Sequence, residues 1–169
     1  VYARQCNIVE LDSKTKNLFL DENHLQGQDK SSIKLGLMYD GVLVSVMTFG
    51  SPRFNKKYQF ELHRFCNKIG YQIVGGASKL WKYFINQYNP TSVVTYADRR
   101  YSNGTFYKKI GFDYVGESPP NFFIINKGKL ESRINWQKHK LEEKLEVFDP
   151  AISAWENMRI NGYDRIWDC

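Results

Sequence analysis

Cysteine is scarce in this sequence. There are three in 169 residues, Cys6, Cys66 and Cys169, far apart and without a C-x-x-C pair. That excludes a disulfide framework and a structural zinc site, and it points to a reduced, intracellular (cytoplasmic) setting with no metal. Long apolar runs are missing too. None approaches the ~18 residues of a membrane span, and Val1 to Gln5 has no apolar signal region, so no membrane partner is expected. There is no G-x-x-x-x-G-K-[ST] loop, no helix-turn-helix, no zinc finger and no RNP motif. Low-complexity tracts and internal repeats are absent. An initiator Met is absent as well, which reads as a piece of a longer protein.

What is present is basic and aromatic. Lys and Arg number 24 against 18 Asp and Glu, a net charge of +6, and aromatics make up 15%. With 42% hydrophobic residues, a chain of this length builds one globular domain that buries roughly two-thirds of its unfolded surface. A basic surface attracts polyanions, and aromatics beside cations can stack on bases, although core packing uses most aromatics in most domains.

The chain begins with a strand over 2–11, and Asp12 or Ser13 caps a helix over 14–25. Strands over 33–39 and 42–49 flank Asp40-Gly41, a strong hairpin signal. A basic loop at 52–57 precedes a third alternating strand over 58–66. Ala77, Leu80, Trp81, Phe84, Ile85 and Tyr88 fall on one face of a helix that Asn89-Pro90 stops. A short β-branched strand at 92–97 follows, then a helix over 102–110 closed by Gly111. Strands at 112–115 and 121–126 come next. Helices over 134–148 and from Asp149-Pro150 to about Gly162 follow, with a last strand at 164–168. A meander followed by β-α-β-α-β predicts an α+β fold with a mostly antiparallel sheet.

The most informative local piece is Gln72-Ile73-Val74-Gly75-Gly76-Ala77, between the 58–66 strand and the helix starting near Ser78. Glycines let the backbone turn sharply and approach a ligand. The first helical N–H groups are unpaired and sit at the positive end of the helix dipole, a site suited to a pyrophosphate. Lys79 and Lys82 would add charge. A plain turn with one closely packed glycine is the alternative. Some thirty residues on lies Tyr107-Lys108-Lys109-Ile110-Gly111-Phe112.

Together these two segments resemble the GNAT superfamily of acyl-CoA-dependent N-acyltransferases. Gln72, Gly75 and Ala77 fit its Gln/Arg-x-x-Gly-x-Gly/Ala loop, and Tyr107, Gly111 and Phe112 fit its Tyr-x-x-x-Gly-Phe helix end. The resemblance covers about 1–126 and implies a GNAT-like central sheet flanked by helices, with 127–169 as a helical C-terminal extension on the same domain. The run from Tyr96 to Tyr107 is similar to GNAT-like domains of phage proteins. Some of those modify DNA, and others accompany homing-endonuclease-like proteins. Asn23 to Gly27 and Ser118 to Asn121 favour the second group. That implies a nuclease or DNA-binding domain upstream of Val1, since this segment has no H-N-H arrangement.

The resemblance also implies site residues. Backbone N–H groups of Val74, Gly75, Gly76, Ala77 and Ser78, with Gln72, would hold the phosphates of acetyl-CoA or another acyl-CoA. Donors near Phe65, Cys66 and Asn67 would polarise the thioester carbonyl, and Tyr107 would protonate the leaving thiolate. Glu61, His63 and Asp98 are the candidate bases. Glu61 would otherwise pair with Arg64 or Lys57, His63 would simply be packed, and Asp98 would cap a helix or bind Arg100. Where the superfamily commonly has Asn, seven residues before the Tyr, this chain has Arg100. Arg99 and Arg100, with Arg53, Lys56 and Lys57 of the basic loop, are the expected nucleic-acid contacts, and DNA is the expected partner. The basic stretch from Lys127 to Lys144 is interrupted by glutamates and also reads as a solvated helix face.

Overall fold

Asp40 and Gly41 both take positive φ, 46° and 76°. That is the primed turn whose twist matches a tight hairpin. It joins β2 (Ile33–Tyr39) to β3 (Val42–Gly50) in antiparallel register. In the computed structural model, which describes residues 1–168, this hairpin lies within a five-stranded sheet of order β1-β2-β3-β4-β5. β1 is Asn7–Glu10, β4 is Phe60–Asn67 and β5 is Val93–Thr95. Every pairing is antiparallel except β4 with β5, which is parallel and bridged by the helix α2 (Gly76–Tyr88). The chain is therefore α+β with a mostly antiparallel sheet. It divides into two compact units, residues 1–96 with 109–111, and residues 97–108 with 112 onward.

In the first unit β3 is buried along most of its length, because helices cover both faces of the sheet. Helix α1 (Ser13–Asn23) starts where the Asp12 carboxylate accepts from the Thr15 N–H at 2.9 Å. It packs Phe19 and Leu20 against Val46, Leu43 and Cys66. Three residues along β3 from Val46, Phe49 points the other way and stacks on Phe84 of α2 with ring centroids 3.7 Å apart. Phe60, Trp81 and Tyr88 surround Phe84. Each fully buried aromatic or leucine here contributes about 1.5–3 kcal/mol of transfer free energy.

β4 carries an extra residue. Thr48 pairs with Arg64 and Phe49 with Leu62, so His63 sits in a β-bulge, a device that re-aims side chains. The ladder between β4 and β5 ends at Leu62 opposite Thr95, while β4 continues to Asn67.

The second unit has its own three-stranded antiparallel sheet, β7-β6-β8: β6 Asn121–Asn126, β7 Lys129–Ser132 and β8 Asp164–Asp168. Its core is Ile124, Trp136, Leu141, Leu145 and Met158, with the Trp136 indole donating to Glu131 at 2.9 Å. Its helices are α3 (Thr105–Lys109) and α4 (Ala154–Ile160). The predicted helix over 134–148 is instead two 3₁₀ turns, Arg133–Trp136 and Lys138–Lys140. Its core residues Trp136, Leu141 and Leu145 are spaced by five and then four, which breaks the 3.6-residue stripe. The next helix is not capped by Asp149, whose carboxylate closes a turn onto the Ala151 N–H at 2.7 Å. Ser153 and Glu156 form the capping box instead. Residues 112–115 form no strand. Among the described residues, no helix is long and apolar enough to cross a membrane.

Candidate functional site

Gly75 and Gly76 are needed for different reasons. Gly75 is the N-cap of α2 at φ 78°, a left-handed conformation costly for any residue with a Cβ. At Gly76 a Cβ would lie 2.9 Å from Ile73 Cγ2. The loop is pinned by residues 1–3: the Val1 nitrogen donates to the Gln72 carbonyl at 3.0 Å, Val74 N–H to Val1 O and Ala3 N–H to Val74 O. The Val74 N–H expected to hold phosphate is thus already used, and the Gly76 N–H bonds the Ile73 carbonyl at 3.2 Å. Glycine offers no side-chain cap. The Ala77 and Ser78 N–H groups therefore have no acceptor among the described residues, and this helix end can take an anion. Lys79 does not add its charge there. Its ammonium is bound by the carbonyls of Ala3 and Cys6 at 2.9 and 2.6 Å.

At the far end of β4, Phe65, Cys66 and Asn67 are half-buried. Burial among Phe19, Leu20 and Val46 pushes the Cys66 thiol up to about 12, so it carries no thiolate at neutral pH. The Cys66 carbonyl accepts from Ser45 Oγ at 3.3 Å. The Asn67 Oδ1 is buried with no hydrogen-bond partner.

Glu61 and His63 share one side of β4, as their spacing predicts, and both hold the 51–53 segment. Glu61 is fully buried and pairs with neither Arg64 nor Lys57. Its carboxylate accepts from the Arg53 backbone N–H at 2.6 Å and side-chain Nε at 2.7 Å, with Nη2 at 2.5 Å. The His63 Nε2 lies 3.2 Å from the Ser51 carbonyl. A carbonyl only accepts, so Nε2 carries the proton and Nδ1 the lone pair. That Nδ1 lies 3.8 Å from Asp29 Oδ2. Burial lowers the His63 pKa, outweighing the Ser51 carbonyl and Glu61, which raise it. The imidazole is thus neutral at pH 7, the protonation state of a base.

Asp29 was not legible as a site residue. Its carboxylate accepts from Lys16 Nζ (2.7 Å), Ser31 Oγ (2.8 Å) and Thr48 Oγ1 (2.5 Å). Burial alone would raise its pKa, but the bonds from Lys16, Thr48 and Ser31 outweigh it and hold the group at about 2. The available signal was Lys16 itself. It lies three and four residues before Phe19 and Leu20 on the inward face of α1, and a buried ammonium requires an acceptor. Nearby His24 is pushed down to about 4, by burial first and then by Arg64.

In the second unit, Asp98 binds Arg100: Oδ2 to Nη2 at 2.6 Å, with Oδ1 accepting from both Nε and the backbone N–H at 3.0 Å. The side-chain bond from Arg100, the largest influence, holds the Asp98 carboxyl below its usual range, which weakens it as a base. Arg99 pairs with Glu117 at 2.6 Å on the surface. Tyr107 is half-buried in α3, with its ring edge-on to Phe106 and Phe112. In the basic loop, Lys56 donates to the Pro52 carbonyl and Lys57 lies 5.2 Å from the Tyr58 ring centroid. All five expected nucleic-acid residues thus have intramolecular partners. Among the described residues no group of His, Cys, Asp and Glu is arranged to hold a metal ion. No protein-family model matches the chain, and no curated protein matches it.

Proposed function

We propose that the chain is an acyl-CoA-dependent N-acyltransferase-like domain of the GNAT type. The observation that carries this reading is the uncapped start of α2 behind left-handed Gly75, in a parallel β4-α2-β5 unit whose two strands stop pairing at Leu62–Thr95. In such units ligands lie beyond the carboxyl ends of the strands. The free N–H groups of Ala77 and Ser78 receive the pyrophosphate, and the open stretch of β4 beyond Leu62 lies alongside the thioester. The acceptor nitrogen attacks the acyl carbon, the C–S bond breaks, and the leaving thiolate takes a proton from solvent. The proton of the acceptor nitrogen leaves to solvent, because Asp98 and Glu61 are each bound to an arginine and the His63 Nδ1 lone pair is buried beside Asp29. Acetyl-CoA at 100 times its dissociation constant should stabilise the protein by about 2.7 kcal/mol, and Gly75→Val should abolish that gain. No thermal shift at millimolar acetyl-CoA would sink the enzyme reading.

A second reading is a non-catalytic DNA-targeting module of a homing-endonuclease-like protein. It is favoured by exposed Phe54 beside Arg53, whose guanidinium carbon is 5.5 Å from the ring centroid, and by Lys57 over Tyr58. A cation flanking an exposed ring suits single-stranded nucleic acid. Fluorescence anisotropy with a labelled oligonucleotide should show affinity falling steeply with salt, and Lys57→Ala should reduce the log–log slope by about one. Affinity indifferent to salt would rule this contact out. Binding of DNA without acetyl-CoA would favour the module over the enzyme.

A further inference from the structure

A pocket of ≈ 450 Å³ opens in the first unit between the 28–32 segment after α1, the 51–56 segment before β4, and the bulge at His63. Its volume is that of a small-molecule site, and its charge is one-sided. Lys30, Arg53, Lys56 and Arg64 line it against a single lining carboxylate, Asp29. Counting the groups bonded directly behind the wall adds Lys16 and Glu61, giving five cationic side chains and two carboxylates.

Neither carboxylate is available to a ligand cation. Asp29 is filled by Lys16, Ser31 and Thr48, and Glu61 by the backbone and side chain of Arg53. The lining cations are held differently. Lys30 has no hydrogen-bond or ion-pair partner among the described residues. Lys56 donates to the Pro52 carbonyl. Arg64, 8% exposed, is positioned by the carbonyls of Gly27 (3.3 Å) and His63 (2.8 Å). A guanidinium and ammonium groups lining one pocket recognise an oxyanion, and the concave wall focuses their field.

We propose that this pocket binds the oxyanion group of a small metabolite, a carboxylate or a phosphate ester, independently of any acyl-CoA site. Neutral His63 lies in the wall, so a ligand anchored by its acid group places the rest of the molecule along β4.

Calorimetric titration of the whole chain with sodium phosphate and with sodium succinate, each at ionic strength matched with NaCl and without acetyl-CoA, tests this. At least one anion should bind saturably. Lys30→Glu, at an exposed position without a protein partner, should weaken that binding about tenfold, while Lys14→Glu, exposed on α1 and outside the pocket, should leave it within twofold. Tighter binding of phosphate than succinate would mark a phosphate ester as the source, and the reverse a carboxylate. The proposal is overturned if neither anion binds beyond the NaCl control, if Lys30→Glu binds like the wild type, if both variants weaken binding equally, or if only an oligonucleotide binds.

Discussion

Lys16→Met is expected to cost about 3–5 kcal/mol of stability in urea unfolding at pH 7, the range for removing one partner of a buried ion pair. The Lys16 and Asp29 side chains are 2% and 5% exposed. Thr48 and Ser31 would still donate to Asp29, but no cation would compensate its buried charge. The double variant Lys16→Met/Asp29→Asn should regain much of the loss, since removing both charges is far milder than removing one. The pH dependence follows from the same pair. The folded Asp29 carboxyl titrates at about 2 rather than 3.8. A lowered carboxylate pKa contributes stability that is complete above the unfolded value and disappears as pH falls from about 3.8 to about 2. The wild-type advantage over Lys16→Met should therefore shrink across that window. A single variant within 1 kcal/mol of wild type at pH 7 would mean the pair is not buried as described.

Phe84→Ala should destabilise by about 3–5 kcal/mol, as large core truncations do. Phe84 is fully buried and is the residue through which α2 meets the sheet: it stacks on Phe49 and also meets Phe60, Trp81 and Tyr88. Phe84→Leu keeps most of the volume and should cost under half as much. Guanidinium unfolding of both variants reads the difference directly. Equal costs would mean that ring stacking, rather than filled volume, sets the energy.

The hairpin, α1 and α2 were legible because each depends on local chemistry: Asp40-Gly41 for the turn, Asp12 for the cap, and Leu80, Trp81 and Phe84 for the stripe. The tail was less legible. Its core residues are shared among a strand, one 3₁₀ turn, the irregular segment after the second and a short helix, so no single period runs through them. The candidate site was legible in position but not in its charge pairing. Glu61 and His63 share a side of β4 by alternation alone, whereas Arg53 reaches Glu61 only because the 51–53 segment folds back over β4. Asp29 sits in a polar connection with no pattern around it, and only tertiary structure brings Thr48, Lys16 and His63 to it.

The order β7-β6-β8 carries a kinetic consequence. β6 meets β7 across the Lys127-Gly128 turn, a closure of a few residues, but its partners in β8 lie 39 to 47 residues further along the chain. Closing the longer loop carries the larger entropic barrier, and non-local pairings slow folding. The β6–β7 hairpin should form early and the β6–β8 seam late. Trp155 and Trp167, both stacked by Arg165, would then report the slow phase in stopped-flow fluorescence.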